Sequence, residues 1–268
     1  MPVLSLPGGV ELSYLENGVA SRSAVLLVPG PTDSWRSYEP ILDEVSEELR
    51  VVAISLRGHG DSSKPPGAGF RIEDLASDLV PFLDAIDVER VVLTAHSGSC
   101  LIARQVALQT PGCVAGLFLE ASPFTLRGDE DLTRFVNQVI GELRDPVDPG
   151  FARSFIRDTS TEVLPADLVE RLVQDVLKVP VVVWRQLFQS LLAYDDTNEL
   201  AGLMTPTRLI WGDEDRLIPR AMQDQLLRLL PEAGLTVYAG VGHTPRWEQP
   251  NRFAADLTRF SSRVLPPR

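Results

Sequence analysis

Cysteine is nearly absent from this 268-residue chain: Cys100 and Cys113 alone occur, both in apolar runs and at no metal-ligand spacing. That excludes a disulfide scaffold and reads as buried free thiols in a reducing compartment. Basic charge is scarce as well. Twenty-five Lys and Arg face 37 Asp and Glu, a net charge of −12. This argues against nucleic acid, whose phosphates need cationic neutralisation, and against anionic membrane surfaces. Long hydrophobic runs are missing too, since stretches such as Val179 to Trp184 fall far short of the roughly 20 residues of a membrane span. Met1 to Gly9 has neither a basic n-region nor a long apolar h-region, so no signal peptide is expected and the protein is expected to be cytoplasmic. Internal repeats, low-complexity tracts and cofactor or metal motifs are also lacking, so no cofactor and no metal is expected. What is present is an ordinary globular composition, 44% hydrophobic and 23% charged, in a chain long enough to bury a sizeable core. A neutral or weakly charged small molecule is the fitting partner, and a homo-oligomer is compatible with the composition.

The hydrophobic pattern alternates between strands and helices. Val3–Leu6 and Val10–Tyr14 flank a Gly8-Gly9 hairpin signal, and the apolar run Ala24–Val28 ends at Pro29-Gly30-Pro31. Tyr38, Ile41, Leu42, Val45 and Leu49 then fall at helical intervals, predicting a helix from Trp35 to Leu49. The order repeats as strand 51–56, a Gly/Pro-rich loop 57–69, helix 72–86, strand 90–95, helix 98–109 and strand 114–120. Such alternation predicts an α/β fold, a mostly parallel sheet of about eight strands with helices on both faces and an antiparallel edge from the hairpin. From Ser122 to Leu203 the strands stop, and about four helical stripes follow with prolines 146, 149, 165 and 180 between them or at their starts. The rhythm resumes with strand 207–211, helix 220–230, strand 235–239 and helix 251–263. The expected organisation is a discontinuous core, 1–121 and 204–268, carrying a helical cap, 122–203, inserted after the sixth strand.

Ala95-His96-Ser97-Gly98-Ser99 lies between a predicted strand and a predicted helix, with small residues two positions either side of Ser97. A sharp strand-to-helix turn strains the serine backbone and needs small neighbours, while aiming the Gly98 N–H at the place an oxyanion would occupy. Trp211-Gly212-Asp213-Glu214-Asp215 and Gly242-His243 follow the next two strands, giving the chain order Ser, Asp, His at carboxyl ends of strands. A serine hydroxyl needs a base, and the base needs a carboxylate to hold its tautomer and stabilise its charge.

On these motifs, together with Val28–Trp35 and Arg57-Gly58-His59-Gly60-Asp61-Ser62, the chain resembles the α/β-hydrolase superfamily, in the cap-bearing branch of serine esterases and cofactor-free perhydrolases. The resemblance spans essentially the whole sequence. It implies Ser97 as nucleophile, His243 as general base and Asp215 as acid, because Asp215 precedes Pro219 in the family's G-x-x-D-x-x-x-P pattern. Asp213 and Glu120 are rivals for the acid, while His96 and His59 read as structural. Serine at 97 speaks against haloalkane dehalogenase and epoxide hydrolase chemistry, which needs a carboxylate there.

The loop after the third strand departs from the family's His-Gly-X. It reads Pro29-Gly30-Pro31, and a proline at X has no N–H to give an oxyanion, a loss of about 3 kcal/mol or roughly a hundredfold in rate. The oxyanion-hole candidates are therefore Gly98, Pro31 and Thr32, the last through its hydroxyl or N–H. Trp35, Phe124, Phe135, Trp184 and Phe188 are candidates for an apolar substrate pocket, although aromatics at helical spacing also serve to pack helices. The reading is a serine hydrolase of an ester or lactone. Non-hydrolytic chemistry (perhydrolysis, C–C cleavage or cofactor-free oxygenation) and a non-catalytic ligand receptor remain as alternatives.

Overall fold

The structure is a computed structural model that describes residues 2–45 and 47–265. Eight strands form one sheet: β1 (Val3–Ser5), β2 (Glu11–Asn17), β3 (Ser23–Val28), β4 (Val51–Ile54), β5 (Arg90–His96), β6 (Val114–Glu120), β7 (Thr207–Gly212) and β8 (Ala233–Tyr238). Their order is β1-β2-β4-β3-β5-β6-β7-β8. β2 runs antiparallel to β1 and to β4, and every other pairing is parallel. Gly8 and Gly9, at φ +93° and +81°, make the β1–β2 turn, a conformation glycine adopts without penalty. The expected mixed sheet with an antiparallel edge is thus observed.

Apolar runs make these strands because both faces of the sheet are covered. Along β3, Leu26 and Val28 enter one core layer while Val25 and Leu27 enter the other, the period-two alternation of a strand buried on both sides. Helices α2 (Ile72–Ala85) and α3 (Ser99–Gln109) supply the first layer, α1 (Glu39–Leu42) and α10 (Pro250–Val264) the second. The predicted helix 35–49 is the main correction. A 3₁₀ turn, Trp35–Tyr38, and α1 occupy its first half, and described residues beyond Leu42 form turns; part of that prediction, Ser46, lies outside the described residues. Tyr38, Ile41 and Val45 are nevertheless buried. Their spacing reported the buried side, which a turn can present as well as a helix.

Between β6 and β7 the chain builds a helical cap: α4 (Glu130–Gln138), α5 (Pro149–Arg157), α6 (Ala166–Val176) and α7 (Val181–Ala193). Asp129 and Asp148 cap α4 and α5 by accepting the N–H of Leu132 at 2.8 Å and of Phe151 at 2.9 Å, while Pro149, Pro165 and Pro180 stand at helix starts. Two buried polar clusters help to fix the cap to the core. Buried Asp175 of α6 accepts from Ser34 and pairs with Arg36 and Lys178. Arg104 of α3, completely buried, pairs with Asp196 just after α7 and donates to the carbonyls of Pro123 and Phe124 just after β6. One guanidinium thus holds both ends of the cap against the helix that follows Ser97. Among the described residues no single helix is long and apolar enough to cross a membrane. α8 (Arg220–Leu229) and α9 (Pro245–Glu248) complete the fold. The short α9 lies between the predicted elements and was not expected.

Candidate active site

β5 ends at His96 and α3 begins at Ser99, leaving Ser97 and Gly98 to make the turn. Ser97 has φ +54°, a left-handed conformation that costs a non-glycine residue roughly 1–3 kcal/mol and persists only where the surroundings dictate it. They do so here. The Ser97 N–H donates to Glu120 O, extending the β5–β6 ladder, and Ser97 O accepts the Cys100 N–H, each at 2.9 Å. A Cβ on Gly98 would stand 2.8 Å from Leu191 of α7 and 3.0 Å from the Pro31 ring. Cap and loop therefore close directly on this N–H-bearing residue.

Asp215 and His243 come to Ser97 from the ends of β7 and β8. His243 Nε2 is 2.9 Å from Ser97 Oγ, and His243 Nδ1 is 2.9 Å from Asp215 Oδ2. With Nδ1–H donated to the carboxylate, Nε2 turns its lone pair to the serine hydroxyl. The other oxygen, Asp215 Oδ1, accepts the N–H groups of Leu217 at 2.9 Å and Ile218 at 3.0 Å, which fixes the carboxylate. The two loops that carry Asp215 and His243 touch backbone to backbone. A Cβ on Gly212 would fall 2.2 Å from the carbonyl oxygens of Val241 and Gly242, so no other residue fits there.

The rival residues have other partners. Asp213 is exposed and accepts the Gly240 N–H at 2.6 Å. Glu120 is fully buried and takes both the N–H and the guanidinium of Arg246, at 2.9 and 2.8 Å. His96 donates Nε2–H to His243 O at 3.1 Å, and burial, with Arg246 nearby, holds its pKa well below the ordinary histidine value. It is a neutral support for the His243 backbone. His59 stays in its own loop, donating Nδ1–H to Arg57 O at 2.9 Å, with its pKa pushed down to about 4 by burial.

Arg246 was not anticipated. Completely buried, it pairs with Glu120 at 2.8 Å and Asp33 at 3.1 Å and donates to Ser37 O and Oγ. It therefore joins the His243 segment, the end of β6 and the loop after β3. Two carboxylates face one guanidinium there, and burial, only partly offset by Arg246 and Ser37, raises Asp33 from 3.8 to about 6. A raised folded-state pKa means stability that is full below the unfolded value and lost as pH rises through about 6. Asp33→Asn, which keeps the neutral form at every pH, is thus expected to gain roughly 2–3 kcal/mol over wild type between pH 4 and 7.5. Urea midpoints at the two pH values read this directly; an Asn variant equally destabilised at both would mean that Asp33 stays ionised throughout.

The loop after β3 turns tightly, with the Asp33 N–H donating to Gly30 O at 3.1 Å and Thr32 at φ +71°. Thr32 is fully buried and its Oγ1 has no hydrogen-bond partner among the described residues. The pocket aromatics divide. Trp35 is packed in the layer with Tyr38 and Ile41 and donates its backbone N–H to Ser55 Oγ, and Phe124 stands beside the Arg104 clamp. Phe135, Trp184 and Phe188 join Phe151 and Phe155 in one cluster inside the cap, with Trp184 and Phe188 stacked at 5.7 Å. Trp184 is fully buried within it. Cys100 is buried and Cys113 half-buried, and both are free thiols.

Sequence reasoning missed Arg104, Arg246 and the cap residues that meet the His243 loop. Arg104 had a signal, a lone charge within the run Leu101-Ile102-Ala103-Arg104-Gln105-Val106-Ala107. The others had none, because their partners lie far away in the chain.

Comparison with known proteins agrees with this architecture. The 2-hydroxy-6-oxo-2,4-heptadienoate hydrolase of Pseudomonas putida is 24% identical over 260 residues, covering 95% of this chain and 94% of the relative. Among solved structures, a thermophilic esterase from Thermogutta terrifontis superposes with a TM-score of 0.86 at 24% identity, covering 98% of this chain and 99% of the other. An enol-lactonase from Burkholderia xenovorans does so with a TM-score of 0.81 at 17% identity, covering 97% and 100%. These likenesses concern the fold. Residues 25–256 match the model of the alpha/beta hydrolase family, and with that span covering most of the sequence, this chain belongs to that family.

Proposed function

We propose that the protein is a serine hydrolase acting on an ester or lactone of a small to medium, largely apolar molecule. The single observation that carries this reading is the unbroken line Ser97 Oγ, His243 Nε2, His243 Nδ1, Asp215 Oδ2, each contact 2.9 Å. In it Ser97 Oγ attacks the acyl carbonyl while His243 Nε2 takes the hydroxyl proton, and Asp215 stabilises the imidazolium. The imidazolium then protonates the departing alkoxide, and water, deprotonated in turn by His243, releases the acid from Ser97. Gly98 N–H at the start of α3 is one oxyanion donor. Thr32 is the other: Pro31 has no N–H and that of Asp33 is spent on Gly30 O, which leaves the Thr32 N–H between them as the donor. On this reading residues 122–203 form the cap domain, 1–121 and 204–268 the core, and the aromatic cluster bounds the apolar side of the substrate. The two free thiols suit a reducing, cytoplasmic compartment.

The name of the Pseudomonas relative favours a second reading, hydrolysis of a carbon–carbon bond beside a ketone by the same residues. Intact-mass labelling with a fluorophosphonate tests the nucleophile common to both, with p-nitrophenyl acetate and butyrate turnover separating ester hydrolysis. The wild type is expected to gain one adduct and Ser97→Ala none, with equal melting temperatures. A folded wild type that takes no label and turns over neither ester would overturn the proposal.

A further inference from the structure

The cap does more than lie over the sheet: its loop between α5 and α6 is bonded to the segment that carries His243. The His243 N–H donates to Thr159 O at 3.0 Å. Ser160 Oγ and Thr244 Oγ1 are 2.5 Å apart. Thr161 gives its N–H to Glu248 Oε2 at 3.2 Å and shares its hydroxyl hydrogen between Glu248 Oε2 and Gly240 O. Glu248 has only acceptors, and it collects donors from both sides, because the Gly242 N–H points at the same carboxylate at 3.0 and 3.2 Å. Gly242 leaves little room for a side chain: a Cβ would stand 3.1 Å from Thr161 N and 3.2 Å from Thr159 O, so the loop would have to give by a few tenths of an ångström. Cap, carboxylate and histidine backbone are thus one hydrogen-bonded unit.

We propose that Thr159–Thr161 is a latch by which the closed cap sets the position of His243, with Thr161 as its positioning residue. Geometry makes the coupling direct. The backbone N–H of His243 has its acceptor on the cap, so lifting this loop removes that acceptor and frees the imidazole to move relative to Ser97 Oγ. A displacement of about 1 Å at a reacting group costs on the order of a hundredfold in rate. Substrates or mutations that hold the loop down would favour the competent arrangement, and those that hold it up would not. The kinetic consequence rests on the serine-hydrolase reading, whereas the structural one does not.

Thr161 is exposed, so Thr161→Val leaves the core untouched, and Thr161→Ser restores the hydroxyl. Hydrogen–deuterium exchange of the His243 amide and the low-field imidazole proton of His243 report the latch without requiring turnover. In Thr161→Val the amide should exchange faster and the imidazole signal broaden, with both restored in Thr161→Ser; Ser160→Ala, which cuts the neighbouring bond, should act in the same direction. Turnover of p-nitrophenyl butyrate should fall roughly ten- to a hundredfold in kcat for Thr161→Val with KM little changed. Unchanged exchange and an unchanged imidazole signal in both Thr161→Val and Ser160→Ala would overturn the latch. Altered exchange together with a wild type that fluorophosphonate does not label would uphold the latch and defeat the hydrolase reading instead.

Discussion

Asp215→Asn should lower kcat/KM for p-nitrophenyl butyrate by about ten-thousandfold while leaving the melting temperature nearly unchanged. The size of the effect comes from the tautomer of His243. Asp215 Oδ1 is engaged by two backbone N–H groups, those of Leu217 and Ile218, so an asparagine keeps its oxygen there and turns its NH2 toward His243 Nδ1. Nδ1 must then accept, which places the ring proton on Nε2, facing Ser97 Oγ. A protonated Nε2 cannot take the serine proton, and the imidazolium that would form has lost its counter-charge. The labelling rate with fluorophosphonate should fall in parallel, because it depends on the same proton transfer. A drop of less than about tenfold would move the acid role away from Asp215, and Asp213 and Glu120, each already committed elsewhere, would then need re-examination by the same substitution.

Asp196→Ala is expected to cost about 3–5 kcal/mol of stability, the penalty for leaving a buried charge without its partner. Arg104 is completely inaccessible, and among the described residues Asp196 is its one acidic partner, bonded bidentately with Nε at 2.9 Å from Oδ2. The carbonyls of Pro123 and Phe124 remain as acceptors, at 2.8 and 3.0 Å, but they carry no compensating charge. Replacing both members, as Arg104→Met with Asp196→Leu, should recover much of the loss, since an apolar pair of similar volume avoids desolvating two ions. Urea unfolding of the three variants measures both statements. A single-mutant loss under about 1 kcal/mol would show that water reaches the guanidinium once the carboxylate is gone.

The sheet and the grouping of Ser97, Asp215 and His243 were legible in the sequence for different reasons. Parallel strands buried on both faces leave continuous apolar runs such as Ala24–Val28, and the helices between them leave periodic stripes. The strand-to-helix turn is local, so the small residues around Ser97 reveal it, and Asp215 and His243 stand at strand ends in a fixed chain order. What stayed hidden depends on partners distant in the chain. Nothing in the neighbourhood of Arg246 announces Asp33, 213 residues away, nor does Thr161 announce Glu248. The helix from Trp35 to Leu49 failed because burial spacing constrains which side chains face inward, while the turns that follow Leu42 satisfy the same spacing. Thr32 was named as a donor candidate from the missing N–H of Pro31, yet its left-handed backbone has no sequence signal, since threonine rarely adopts it.

The bond between Ser97 and His243 closes a span of 146 residues, and β8, from which His243 follows, pairs among the described residues with β7 alone. Loop-closure entropy delays contacts of such length until the intervening chain is ordered. During refolding, then, the contact that sets His243 beside Ser97 is expected to form late, together with the second core layer that α10 supplies. Recovery of ester turnover is therefore expected to coincide with or lag behind recovery of the native fluorescence and circular dichroism, and never to precede it.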